Sequence, residues 1–223
     1  MKKYIPILGI TGLALSALSV HAQNVFTYNS GDLILDFSQT GSSDFEVDLG
    51  SVANLQAEAA ADNGTVVLTS VANGYTVSQL SGNFANYNNL SLAVFGTTGN
   101  GGSDFFTKKR NDPLVQNTTP NDITRSTANT GASDVLGVVG VGKETGILEY
   151  NGTTTANVAE IPAANANSYT TIGSAALNAI ANVNTIKNVT GAAFSGSIVS
   201  DLFAYNGLGS GSQAVFEGDF TFN

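Results

Sequence analysis

The sequence runs to 223 residues, 42% of them hydrophobic and only 11% charged, with 17 acidic residues against 8 basic ones and a formal charge of −9. That balance repels nucleic acid and anionic membrane surfaces. A chain with no Cys and a single His at position 21 has no disulfides and lacks the usual nitrogen and sulfur ligands of a zinc site.

The first 22 residues read as a cleavable export signal. Lys2 and Lys3 form a positive start, Ile5 to Val20 is apolar, and Val20-His21-Ala22 offers short residues where a signal peptidase cuts. The apolar run is roughly 16 residues and carries Pro6, against about 20 for a membrane span, so an export signal fits better than an anchor. Cleavage leaves Gln23 first, and no Cys follows to carry a lipid. It also removes Lys2, Lys3 and His21, taking the formal charge from −9 to −11. Without an imidazole, Ser-His-Asp and Cys-His nucleophilic chemistry is excluded from the mature chain. Residues 23–223 are expected to form one domain, large enough to bury roughly 70% of its unfolded surface.

Along that domain, Asn, Ser, Thr and Gly break short alternating runs, a pattern that suits strands and turns. Strands are predicted at Val25–Tyr28, Asp32–Phe37 and Asp44–Leu49. The last has the cleanest period of two, with Phe45, Val47 and Leu49 toward a core and Asp44, Glu46 and Asp48 toward water. Ser51 caps a predicted helix through Ala61, stopped by Asn63-Gly64. Further strands are expected at Thr65–Ser70, Leu90–Thr97 and Phe105–Lys108, with a short helix or turn at Gln79–Tyr87. Residues 111–133 lack either period and read as a long loop. Val138–Tyr150 is strand-like, and Ser174 caps a second helix candidate through Lys187. Ile198–Tyr205 and Ala214–Phe222 then form a terminal hairpin, with Phe216, Gly218, Phe220 and Phe222 expected on one face. The predicted fold is all-β and mainly antiparallel, a single β-sandwich or jelly-roll-like domain with one or two short helices.

Four features resemble chemical motifs. Gly137 to Lys143 fits a phosphate-binding loop until Glu144 stands where a Ser or Thr must hold magnesium, and a strand follows where a helix is needed. Asp44, Glu46 and Asp48, about 7 Å apart along one strand face, and Asp104 at the end of the Gly99–Asp104 loop are the calcium candidates, although a straight strand does not wrap an ion. Gly207 to Gly211 reads as a hairpin loop, because no helix follows it. Lys108-Lys109-Arg110, the one basic cluster, reads as the solvated end of a strand.

Gly31 to Phe37, Phe45 to Ser51, Leu80 to Phe84, Leu90 to Gly96, Phe106 to Lys108, Asp201 to Phe203 and Glu217 to Phe222, spaced over most of the mature chain, resemble the exported β-rich domains of bacterial PEP-CTERM-sorted surface proteins. The resemblance implies a β-rich surface or matrix protein and carries over no catalytic residue. It covers the exported domain and not the sorting tail, since the sequence stops at Asn223.

The expected function is that of a secreted or cell-surface, non-enzymatic structural or adhesive protein of the bacterial envelope or extracellular matrix. Its partners would be polysaccharide or its own copies, with no cofactor unless calcium and no membrane helix in the mature chain. The alternative is a carboxylate-dependent glycan-binding or glycan-active module, with an acidic cleft lined by some of Tyr28, Tyr75, Tyr87, Tyr150, Tyr169 and Tyr205. A small outer-membrane β-barrel is a third reading, disfavoured by the helices and the polar middle because a barrel needs about eight tilted strands of roughly ten residues.

Overall fold

The computed structural model describes residues 29–39, 41–62, 64, 66–68, 75–84, 90–98, 102–122, 148–149, 158–161, 198–209 and 211–222. Within them lie β1 (Asp32–Ser38), β2 (Asp44–Ser51), α1 (Val52–Ala61), α2 (Val77–Asn83), β3 (Ser91–Thr97), β4 (Asp104–Lys109), β5 (Leu148–Glu149), β6 (Val158–Ile161), β7 (Ile198–Tyr205) and β8 (Val215–Phe222). The strands make one sheet in the order β5-β6-β2-β1-β3-β4-β7-β8, and every ladder is antiparallel. The all-β, antiparallel expectation holds, with two short helices.

Local chemistry explains where the helices interrupt the strands. The Ser51 Oγ accepts the Asn54 N–H at 3.3 Å and opens α1, satisfying one of the donors left over at a helix start. Gly64, at φ +88°, then closes it by donating its N–H to the Ala59 carbonyl at 2.6 Å, in a backbone conformation that glycine adopts without strain. α2 starts earlier than the predicted Gln79 because Thr76 and Gln79 form a reciprocal cap. The Thr76 Oγ1 accepts the Gln79 N–H at 3.1 Å, and the Gln79 Oε1 accepts the Thr76 N–H at 2.6 Å. Together α1 and α2 carry the chain from β2 over to β3, on the far side of β1.

One face of the sheet holds the main apolar cluster. Leu33, Leu35 and Phe37 of β1 meet Phe45, Val47 and Leu49 of β2, with Leu92, Val94, Phe105, Val158 and Leu202 from the flanking strands. Val52, Leu55, Tyr75 and Leu80 pack over them. The sheet curls around this cluster. Four strand spacings separate β1 from β8, about 19 Å in a flat sheet, yet the Phe37 and Phe222 ring centroids stand 6.0 Å apart. The side chain of Gln56 in α1 also reaches the Glu217 carbonyl at 3.1 Å. The two layers of the expected sandwich are therefore two parts of one rolled sheet.

Three local expectations change. Residues 66–68 form no strand; instead the Tyr75 N–H bonds to the Leu68 carbonyl at 3.2 Å and brings both residues to the core. In β8 the register shifts between Leu202 and Phe203, whose partners are Gly218 and Phe216. Glu217 is the extra residue of this bulge, which sends Phe216 to the face opposite Phe220 and Phe222. β6, the unforeseen strand, is only four residues long and pairs Val158 with Val47. The predicted strand at 25–28, most of that at 138–150, the loop from 123 to 133 and the helix from 174 to 187 lie outside the described residues.

Candidate functional site

Alternation places Ile34, Asp36 and Ser38 of β1 on the face opposite the main cluster, with Asp44, Glu46 and Asp48 of β2, Phe95 of β3, Asp104 and Phe106 of β4, and Asp201, Phe203 and Tyr205 of β7. This second face is buried. Asp36, Asp44, Glu46 and Asp201 are 0% exposed, as are Ile34 and Phe203. The expectation that Asp44, Glu46 and Asp48 face water is thus overturned. β2 alternates, but Leu33-Ile34-Leu35 of the adjacent β1 and Leu202-Phe203-Ala204-Tyr205 of β7 in the same sheet are continuous apolar runs, which mark strands covered on both faces.

The carboxylates on this face fall into three environments. Asp36 of β1 stands directly opposite Glu46 of β2, with Asp44 two residues along β2. Neither oxygen of Asp36 and neither of Glu46 has a hydrogen-bond partner. Burial, reinforced by Asp44 and by Glu46, pushes the Asp36 carboxyl well above the ordinary range, and the nearby Ser38 hydroxyl offsets this only in part. Burial, reinforced by Asp44, raises Glu46 likewise.

Toward the other end of the strands the acids are held by local bonds. The Asp48 Oδ1 accepts the Gly50 N–H at 2.8 Å, and burial still lifts its carboxyl to about 6, with Asp32 adding to the rise. The Asp32 Oδ2 accepts the backbone and side-chain N–H groups of Asn29 at 3.0 and 2.9 Å.

Across the sheet, Arg110 organises the third group. Its Nε donates to the Asp201 Oδ1 at 2.7 Å, its Nη2 lies 2.6 Å from the same oxygen and 2.9 Å from the Asp219 Oδ2, and its Nη1 donates to the Pro113 carbonyl at 3.0 Å. The Asn117 N–H completes Asp201 at 2.7 Å. Arg110 was expected at a solvated strand end; its side chain is only 12% exposed, because a buried carboxylate draws it inward.

The calcium candidates do not converge. Asp44, Glu46 and Asp48 are strung along β2, while Asp104 sits on β4 with β1 and β3 between. Among the described residues no three of His, Cys, Asp and Glu come together as a metal ion requires. The Gly99–Asp104 segment, described from residue 102, serves as the β3–β4 connection, closed by the Ser103 N–H on the Thr98 Oγ1 at 2.7 Å and the Thr98 N–H on the Ser103 carbonyl at 2.9 Å. The phosphate-loop-like residues 137–144 lie outside the described residues.

The two described tyrosines lie on opposite faces of the sheet. Tyr75 packs against Phe37 and Phe45 on the main-cluster face, and Tyr205 lies against Phe106 on the acidic face, where burial raises its phenol. Tyr28, Tyr87, Tyr150 and Tyr169 lie outside the described residues. Sequence reasoning also missed Asp122, which is buried and accepts the N–H groups of Asn206, Gly207 and Leu208 at 3.1, 3.3 and 3.0 Å. It clamps the turn that leads from β7 to β8. The Gly-rich composition from Gly207 onward marks that turn, but no local pattern names a residue 84 positions away as its anchor.

No protein-family model matches the chain, and no curated protein or solved structure matches it. Among the described residues no helix is long and apolar enough to cross a membrane.

Proposed function

We propose that the chain is an exported, non-enzymatic structural or adhesive protein of a bacterial envelope or extracellular matrix that works by associating with its own copies. The observation that carries this reading is β8. It is an eight-residue strand at the end of the sheet order, with Val215 48% and Phe216 37% exposed. A strand at a sheet edge offers a row of backbone donors and acceptors to another chain. The Glu217 bulge and the acidic Glu217 and Asp219 interrupt the middle of β8, which leaves the exposed Val215 and Phe216 as the apolar end open to another chain. The export signal, the absence of His and Cys from the mature sequence and the resemblance to PEP-CTERM-sorted surface proteins support the same reading.

Sedimentation velocity over a range of concentrations tests it, with Val215→Lys and Phe216→Lys as variants. Reversible assembly that the charged variants weaken, with an unchanged circular dichroism spectrum, is the expected result. A protein that stays monomeric at all concentrations and binds neither cells nor envelope polysaccharide would refute it. The carboxylate-dependent glycan reading ranks second. Asp36 and Glu46 are paired as acid–base work requires, but both are closed to solvent, and a sugar needs a cleft.

A further inference from the structure

Asp36 and Glu46 occupy directly opposed positions on adjacent antiparallel strands, which puts their Cβ atoms about 5 Å apart. Asp44 follows on the same face of β2, and all three side chains are fully shut from solvent. The positions next to them on this face are Ser91 and Ala93 of β3 and Ala159 and Ile161 of β6, none of which titrates. Asp48 and Asp32 lie toward the far end of the same strands, and Glu160 of β6 points to the opposite face, its partner being Phe45. Of the described cations, Lys108 and Lys109 sit on β4, two strands beyond β1, with Lys108 on this face by its register with Asp201, yet neither bonds an oxygen of Asp36 or Glu46; Arg110, just past β4, is engaged by Asp201 and Asp219. Apart from the Ser38 hydroxyl beside Asp36, which does not reach bonding geometry, the four carboxyl oxygens of Asp36 and Glu46 lack a donor in a place where ionised groups are costly.

We propose that Asp36 and Glu46, with Asp44 beside them, form a proton-holding pair that keeps this face of the sheet closed in acid and loosens it as the pH rises. A proton on one carboxyl of the opposed pair removes a charge and supplies the missing donor to the other. This is how two carboxyl groups share a confined site when neither water nor a cation reaches them. When the protons leave, the pair repels and the face favours solvent. Burial and the mutual repulsion both raise Asp36 and Glu46 above their ordinary values, which agrees with the geometry.

The sign follows from proton counting. Above about pH 4 the unfolded chain has released these protons and the folded chain retains them, so stability is fully present below that pH and falls as the pH climbs through the folded values. Each retained proton lowers the folding equilibrium constant about tenfold per pH unit across that window.

The test is urea unfolding of the purified protein at intervals from about pH 5 to about pH 8, beside the Asp36→Asn/Glu46→Gln double variant, which keeps shape and removes the titration. The wild type is expected to lose at least about tenfold in folding equilibrium constant over one pH unit, and the variant to keep only the slope that Asp48 contributes up to about pH 6 and to exceed the wild type at the alkaline end. Should the variant not fold, isotope-edited infrared spectra of the Asp48→Asn protein decide, because Asp48 itself keeps a proton up to about pH 6. A protonated-carboxyl C=O stretch persisting in the folded protein at about pH 6 supports the pair. A flat or rising wild-type profile, the same slope in the variant, or fully ionised carboxylates at that pH overturns it. So does a calcium titration at neutral pH that restores the acid stability with the carboxylates ionised, because a cation and not a proton would then be the occupant.

Discussion

Replacing Arg110 by Met removes the guanidinium and keeps most of the aliphatic stem, so packing changes little while the electrostatics change greatly. Asp201 is fully buried. In the wild type its Oδ1 receives Arg110 at 2.6 to 2.7 Å and its Oδ2 receives the Asn117 N–H at 2.7 Å. The variant leaves a buried carboxylate with the Asn117 bond alone, and breaking a buried pair from one side costs about 3 to 5 kcal/mol. Asp219 is different, being 40% exposed, so Asp219→Asn should cost about 0 to 1 kcal/mol. Combining Arg110→Met with Asp201→Asn removes both charges and is expected to recover a large part of the loss. Urea unfolding followed by circular dichroism and tyrosine fluorescence suits a chain with seven Tyr and no Trp. If Arg110→Met costs no more than Asp219→Asn, the ion pair does not hold Asp201 in place and the reasoning fails.

Three other substitutions probe the fold. Phe37 touches Phe45, Tyr75 and Phe222 at centroid distances of 6.1, 5.3 and 6.0 Å; Phe37→Ala should cost about 3 to 5 kcal/mol by urea unfolding, and a loss under about 1 kcal/mol would contradict the rolled sheet. At Gly96 an added Cβ would run into the Asp32 carbonyl oxygen on β1, so Gly96→Ala should cost about 1 to 3 kcal/mol, seen as a lower melting temperature. Asp122→Ala strips the acceptor from three backbone N–H groups; hydrogen exchange should accelerate at Asn206, Gly207 and Leu208 well beyond the change at Phe105 and Phe106, and uniform protection would show that the clamp is dispensable.

Local patterns carried far at the ends of elements. Ser51 and Gly64 bound α1 as their residue types dictate, because a cap is made within three or four residues of chain. The alternation of Asp44 to Leu49 correctly separates Phe45, Val47 and Leu49 from Asp44, Glu46 and Asp48. It failed on what covers the second set, since a period of two tells which side chains share a face and not whether water reaches that face. The bulge at Glu217 shows the same limit, because one extra residue transfers Phe216 to the other side and only the pairing with β7 reveals it.

The site was legible in part. Asp44 and Glu46 stand out in the sequence, but Asp36, their partner, sits in the run Leu33-Ile34-Leu35-Asp36-Phe37, where one acid among apolar residues gives no sign of which strand will lie beside it. Register joins Asp36 to Glu46, and the same step separates Asp104 from both. By itself the sequence determined the composition of the faces, the ends of α1 and the all-β class. The tertiary structure alone decided that the acidic face is buried, that Arg110 turns inward to Asp201, and that the sheet rolls until Phe222 meets Phe37. The physical reason is that burial and charge pairing depend on strands brought together from distant parts of the chain, whereas caps, turns and alternation are written in neighbouring residues.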